Sequence, residues 1–209
     1  MKGLILKDLY QCVRYYKSYL VLVVVFLFSS VNSDSLFFTF YPVMIAGMIP
    51  PSLLAYDERS KWDLYTTTLP VTRAQVVSAK YLLGLMVQAA FLLISLLFHT
   101  VTLLVKGNFS LDYLGMMISL LTVLSALSSS ATLPFMFKLG AEKGRMAYYV
   151  MIGLTVGGIA AATAVLQPDL QSDIQLGSVP AILMVLFAGG VYFLSWRLSI
   201  RFYEKRELS

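Results

Sequence analysis

The segment from Tyr56 to Lys80 carries the side chains best suited to contact another protein. Trp62, Tyr65 and Leu69 are spaced at i, i+3 and i+7, so a helix would place them on one face. Charged residues surround this face, and Pro70 would end the helix. The pattern predicts a short amphipathic helix along a membrane or in a partner's groove, with a solvated helix as the alternative. The predicted contact residues are Asp57, Glu58, Arg59, Trp62, Asp63, Tyr65, Leu69 and Pro70.

Groups suited to catalysis are few in this chain. No phosphate-binding G-x-x-x-x-G-K-[ST] run, no H-E-x-x-H and no G-x-S-x-G occurs in the sequence. The lone cysteine, Cys12, excludes an internal disulfide and a cysteine-rich metal site. The lone histidine, His99, fits a packed residue better than a proton relay, because no carboxylate lies near it in the same apolar run. We therefore expect no catalytic site, no metal site and no cofactor bound by this chain.

Small and polar side chains punctuate two of the apolar runs. Ser125, Ser128 and Ser129 form a polar stripe that lines a transport pathway or only bonds to its own helix. Gly153, Gly157 and Gly158 have the spacing that lets membrane helices approach closely. That approach would occur either within the chain or between two copies of it.

The composition indicates a membrane protein. Only 13% of the 209 residues are charged and 58% are hydrophobic, whereas soluble domains carry about 25% charged residues. The apolar runs are 19–31, 36–55, 81–105, 113–137, 146–166 and 179–196. Five have the length of a spanning helix, and the short first run suffices if Tyr15, Tyr16 and Lys17 lie at the interface. We expect Pro50 and Pro51 to end or bend the second span. The sequence predicts one all-α transmembrane domain over 1–209 with six spans.

Basic residues predict the orientation of these spans. With the N-terminus inside, 15 of the 16 lysines and arginines lie in inner segments and only Lys106 lies outside. The positive-inside rule then places both termini in the cytoplasm. The net charge of +5 therefore indicates topology and contact with anionic lipid, not nucleic acid.

Two further helices are predicted beside the spans. The segment 1–18 places Leu6, Leu9, Tyr10, Val13 and Tyr16 on one face, which is typical of a helix lying in the inner interface.

The second of these helices starts after Pro70. Thr72 and Gln75 form a capping box, and Val71 and Val76 occupy the positions of a hydrophobic staple. A helix over 73–105 would be about 50 Å long, against a hydrocarbon core of about 30 Å, so its first turns would protrude as a stiff lever.

The run Tyr-Asp-Glu-Arg, Trp-Asp-Leu-Tyr, Leu-Pro-Val-Thr-Arg and Lys-Tyr between positions 56 and 81 resembles the permeases of type-2 ABC exporters. It looks most similar to the small bacterial branch that includes exporters of amphipathic peptide toxins, the phenol-soluble modulins. The resemblance implies a second permease copy, identical or closely related, and a cytoplasmic ATPase subunit that binds ATP and Mg²⁺. It also implies that the segment 57–69 is the coupling helix seated on that ATPase.

Three candidate functions can be compared with the sequence. An exporter of an amphipathic or hydrophobic substrate fits the short outer loops and the few charges in the spans. An intramembrane enzyme would need polar catalytic groups at membrane depth, and the sequence offers none. A non-transporting immunity or sensor subunit that binds a toxic peptide fits as well as an exporter does.

Overall fold

The computed structural model describes residues 2–32, 37–107, 110–140, 143–144, 146, 149–150, 153 and 178–206. All regular structure within these ranges is helical. The helices are α1 (Lys2–Tyr15), α2 (Lys17–Asn32), α3 (Phe37–Arg59), α4 (Trp62–Thr66), α5 (Arg73–Lys106), α6 (Leu111–Leu139) and α7 (Ser178–Lys205). The predicted all-α class is confirmed for this part of the chain.

Four of the helices are long and apolar enough to cross a membrane. They are Phe38–Arg59, Arg73–Lys106, Leu114–Leu139 and Ile182–Lys205, and they overlap the second, third, fourth and sixth predicted spans. α2, in the place of the first predicted span, has 16 residues and meets α1 at a bend of 64°, so the two helices together would count as a fifth span. The predicted span 146–166 lies almost entirely outside the described residues. A total of six spans therefore stays a prediction.

Apolar side chains cover the outside of the helices. Leu93, Leu97 and Val105 on α5 and Leu183 and Phe187 on α7 are 58% to 78% exposed. Soluble proteins rarely expose large contiguous apolar patches, whereas a lipid-facing surface is made of such side chains. The exposed surface therefore agrees with a multi-pass membrane protein.

The interior joins the helices around α3 and α5. One apolar cluster contains Leu4, Leu54, Val77, Phe137 and Tyr203, and so links α1, α3, α5, α6 and α7. It lies at the end of the bundle where α4 and the start of α5 are found, which we call the α4 end. A second cluster packs α2 against α3 and α5. α6 and α7 also pack against each other along their length.

α1 turns its apolar face away from the bundle. Leu6, Leu9, Tyr10 and Val13 are 40% to 71% exposed, as an interfacial helix requires. Tyr16 departs from the predicted apolar face. It lies at the break between α1 and α2 and is only 6% exposed.

α3 continues through its prolines. The helix contains Pro42, Pro50 and Pro51 and ends only at Arg59, so Pro50 and Pro51 do not end the second predicted span. Gly84 on α5 makes room for the rings, because a Cβ at Gly84 would lie 3.0 Å from Pro50 Cγ. Packing against a neighbouring helix is what lets membrane helices tolerate proline.

α5 starts as the sequence predicts. The Thr72 hydroxyl accepts a hydrogen bond from the Gln75 amide at 3.2 Å, and Gln75 Oε1 accepts one from the Thr72 amide at 3.1 Å. Val71 packs against the cluster that contains Val76. With 34 residues, α5 is about 50 Å long.

Removal of the cap should loosen the first turn of α5. Thr72→Ala deletes the side-chain acceptor, and we expect a cost of about 1 kcal/mol together with faster amide hydrogen exchange at residues 73–76. Thr100→Ala is the matched control, since the Thr100 hydroxyl donates to the Leu96 carbonyl of its own helix. Equal exchange at 73–76 in both variants would contradict the capping role.

Candidate functional site: a braced coupling segment

The segment predicted as one coupling helix is divided into three parts. Asp57, Glu58 and Arg59 form the last turn of α3, and Ser60 and Lys61 make a turn. Lys61 has a φ of 54°, in the left-handed region, which separates the two helices. The prediction of one helix over 57–69 was therefore wrong.

α4, the second part, is a single short helix followed by a loop. It contains Trp62, Asp63 and Tyr65, while Leu69 and Pro70 lie in the loop beyond it. Its three closing threonines explain the early stop, because each hydroxyl donates to the carbonyl three residues earlier, at 2.7 to 2.8 Å.

The exposed surface of α4 is apolar and aromatic. Leu64 is 43% and Tyr65 56% exposed. Trp62 is half-buried, with its ring centroid 5.3 Å from that of Tyr65 and 4.3 Å from Lys7 Nζ. Trp62 thus faces inward more than Tyr65 does, and Leu64, which is not among the predicted contact residues, faces out.

Four charged side chains form a closed ring beneath α4. Lys7 Nζ lies 3.0 Å from Asp8 Oδ1 and 2.7 Å from Asp57 Oδ1. Lys80 Nζ lies 2.8 Å from Asp8 Oδ1 and 2.6 Å from Asp57 Oδ2. We call Lys7, Asp8, Asp57 and Lys80 the ionic ring. It joins α1, α3 and α5, and its formal charges sum to zero.

Burial makes the ionic ring sensitive to the loss of a member. The side chains of Asp8, Asp57 and Lys80 are 1% to 3% exposed. A buried charge without a partner costs several kcal/mol, so each lysine needs its carboxylates and each carboxylate its lysines. Asp57, predicted to contact a partner protein, is therefore held inside the chain instead.

The C-terminal end of α7 braces the other side of the segment. Tyr203 Oη donates to Asp63 Oδ1 at 3.3 Å, and Arg206 pairs with Glu58 at 2.8 Å. Arg73 donates to the carbonyl oxygens of Tyr203, Glu204 and Arg206 at 2.9 to 3.2 Å. These carbonyls end a helix, where a cation is favoured.

Asp63 lies in an environment that disfavours its charge. Burial raises the pKa of the Asp63 carboxyl above its usual range, and the negative charge of Asp57 acts in the same direction. Arg206 and the Tyr203 hydroxyl oppose this shift. Lys7 contacts α4 at the Trp62 ring, and Tyr203 contacts it at the Asp63 carboxyl, so α4 is held from two sides.

The predicted pathway serines make helix contacts. The Gln88 side chain donates to the Ser125 carbonyl at 3.0 Å and to Ser129 Oγ at 2.7 Å, which ties α5 to α6. Ser128 bonds to its own helix, and a Cβ at Gly47 would overlap its hydroxyl. Ser125 also lines an apolar groove of about 620 Å³ between α5, α6 and α7.

The other predicted residues add little to this site. A Cβ at Gly153 would meet no atom within 4 Å, and Gly157 and Gly158 lie outside the described residues. Thr39 Oγ1 lies 3.4 Å from His99 Nδ1. The described residues hold no cluster of three or more potential metal ligands.

The family model for ABC-2 family transporter proteins matches residues 3–204. The chain belongs to the ABC-2 transporter family. Comparison with the curated proteins and with the solved structures gave no match. The resemblance noted in the sequence is thus confirmed for the family, which makes the chain a membrane transport component of an ABC system with an ATPase partner.

The ionic ring should carry much of the stability of the α4 end in this ABC-2 protein. Asp57→Asn leaves Lys7 without its nearest carboxylate and weakens the pairing of the buried Lys80. We expect the free energy of unfolding to fall by about 3–5 kcal/mol, measured by denaturant titration of the full chain in detergent micelles.

Glu58→Gln is the matched control for this measurement. Its carboxylate lies next in sequence, and the Glu58–Arg206 pair is partly exposed at 35% and 23%. Partly exposed pairs contribute about 0–1 kcal/mol. Similar losses of unfolding free energy in Asp57→Asn and Glu58→Gln would show that burial does not make the ionic ring more important to stability than an exposed ion pair.

Proposed function

We propose that this chain is the permease subunit of an ATP-driven exporter in a bacterial cell membrane. It crosses the bilayer six times, with both termini in the cytoplasm. Two permease copies, identical or closely related, work with a separate cytoplasmic ATPase subunit, which binds ATP and Mg²⁺. The permease itself is not an enzyme. Membership of the ABC-2 family supports this proposal, and the features below support its finer parts.

The observation that carries the proposal is the exposed face of a braced α4. Leu64 and Tyr65 project from a short helix whose neighbours are fixed by the ionic ring and by the end of α7. A protruding aromatic on a rigid support is the form of an interface hot spot. Force applied to α4 would pass to α5 through Asp57 and Lys80.

The orientation follows from where the basic residues lie. The α4 end carries α1, the α3–α5 connection and the end of α7, which contain most of the lysines and arginines. By the positive-inside rule this end faces the cytoplasm, where an ATPase is accessible.

The substrate class is amphipathic or hydrophobic, peptide or lipid-like. The groove between α5, α6 and α7 has mainly apolar walls, including Leu85, Leu92 and Phe193, and Gln88 and Ser125 are among its few polar groups. Sugars and inorganic ions would need a more polar lining. The motif over positions 56–81 favours the branch that exports phenol-soluble modulins, and this narrower assignment belongs to the proposal.

The coupling role can be tested on the exposed face of α4. Tyr65→Ala and Leu64→Ala should weaken binding of the ATPase subunit that co-purifies with the full chain. Loss of a hot-spot anchor typically costs about 2 kcal/mol or more, roughly thirtyfold in affinity. Pull-down and substrate-stimulated ATP hydrolysis in reconstituted membranes would measure the effect.

Trp62→Ala and Glu58→Arg should act in the same direction, although both residues also brace the segment. Leu111→Ala is the control, because Leu111 is 76% exposed at the start of α6, at the end of the bundle away from α4. Normal binding and normal coupling in Tyr65→Ala, Leu64→Ala and Trp62→Ala together would refute the coupling surface. ATPase binding without any stimulation by peptide or lipid would favour the immunity or sensor function.

The topology can be tested with reporter fusions. Because basic residues are concentrated on the other side, fusions within 106–112 and within 167–178 should report an external location. A cytoplasmic signal from either loop would overturn the orientation and the number of spans.

A further inference from the structure

A small pocket lies at the bend between α1 and α2. It has a volume of about 170 Å³, and its polar lining residues are Tyr15, Tyr16, Tyr19, Ser52, Tyr56 and Arg59. We call it the elbow pocket. Five hydroxyl groups and one guanidinium converge there, and no carboxylate is among the lining residues. Hydroxyls and a guanidinium donate hydrogen bonds together to phosphate oxygens.

The charge balance around the elbow pocket is positive. Arg59 is exposed and has no carboxylate partner among the described residues. Arg14 lies over the Tyr15 ring, with its Cζ 6.0 Å from the centroid. The nearest acids in sequence are already used, since Asp57 belongs to the ionic ring and Glu58 pairs with Arg206. The pocket therefore favours an anion.

One donor in the elbow pocket is poorly satisfied. Tyr16 is 6% exposed, and its hydroxyl makes no hydrogen bond of good geometry among the described residues, with the Ser52 side chain as its polar neighbour. A buried hydroxyl without a partner is unfavourable and is normally satisfied by protein, water or ligand. Tyr15 and Tyr56 are already fixed, because their rings stack at 4.8 Å. The stacked rings therefore set part of the pocket's shape before a ligand binds.

The surroundings of the elbow pocket indicate a lipid rather than a soluble anion. An in-plane helix meets a span at the depth of the lipid headgroups, and tyrosines are enriched there. A second cavity of about 210 Å³ shares Tyr19 and Ser52 with the pocket, and its other lining residues are Met48, Pro51, Thr132, Met136 and Tyr149. This cavity is lined by polar and apolar groups alike, as expected at the boundary between headgroups and acyl chains.

We propose that the elbow pocket binds the phosphate headgroup of an anionic phospholipid from the inner leaflet. This rests on the proposed orientation, which places the α4 end at that leaflet. Arg59 and Tyr56 belong to the last turn of α3, immediately before α4, so headgroup binding stabilises the turn from which the coupling segment starts. Anionic lipid is thereby a positive regulator of coupling.

Lipid binding by the full chain in detergent tests the proposal without the ATPase. Phosphatidylglycerol should raise the thermal unfolding midpoint and survive as an adduct in native mass spectrometry, and phosphatidylcholine with the same chains should do neither. Arg59→Gln should weaken phosphatidylglycerol binding about tenfold or more, the usual weight of a charged hydrogen bond. Arg197→Gln is the control, an exposed arginine beside the Phe193 ring on α7.

The Tyr16→Phe variant distinguishes a loss of lipid binding from a loss of protein stability. Without lipid, it removes a hydroxyl whose only polar neighbour among the described residues, Ser52, is badly aligned, so the unfolding midpoint should change little, while affinity for phosphatidylglycerol falls. Equal binding of the two lipids, or equal loss in Arg59→Gln and Arg197→Gln, would overturn the proposal. Glycerol phosphate binding as tightly as phosphatidylglycerol would show a site for soluble anions instead. None of these outcomes depends on whether α4 contacts an ATPase.

Discussion

The burial of two lysine–aspartate pairs is the constraint on which the α4 end depends. Asp8, Asp57 and Lys80 are almost fully withdrawn from solvent, and each has an ion-pair partner on another helix. Because an unpaired charge there is so costly, α1, α3 and α5 must meet in one register. An apolar contact would tolerate sliding between these helices, whereas the ionic ring does not. The position of the short α4 therefore depends on how the ionic ring holds α1, α3 and α5 together.

A fixed position matters for a transport component of an ABC system. α4 has only five residues, and a helix of that length is not stable alone. Its order comes from neighbours: Lys7 against Trp62 on one side, and Tyr203 against Asp63 on the other. The C-terminal end of α7 and the N-terminal helix therefore meet on opposite sides of the same short element. A push on α4 would reach α1, α5 and α7 together.

Sequence patterns predicted the features that depend on neighbouring residues. The apolar runs, the capping box of α5 and the outward apolar face of α1 follow from spacings within a few turns, and the structure agrees with four of the six runs and with the other two features. The ionic ring joins residues separated by up to 72 positions, so no local pattern reveals it. Asp57 illustrates the difference, since its charge suggested an exposed contact and its distant lysines explain its burial. The family was recognisable from the motif, while the three-part shape of the segment was not, because the threonine hydroxyls and the turn at Lys61 interrupt its helical spacing.

The last turn of α3 contacts α1, α5 and the end of α7 at once. Successive helical residues point about 100° apart, so Tyr56, Asp57, Glu58 and Arg59 face four directions. Tyr56 stacks on Tyr15 of α1, Asp57 closes the ionic ring with Lys7 and Lys80, and Glu58 pairs with Arg206 at the end of α7. Arg59 has no carboxylate partner among the described residues. Three neighbours hold this turn, so the backbone from which Arg59 extends to line the elbow pocket is fixed. The position of this turn next to α4 therefore follows from the same contacts that brace α4.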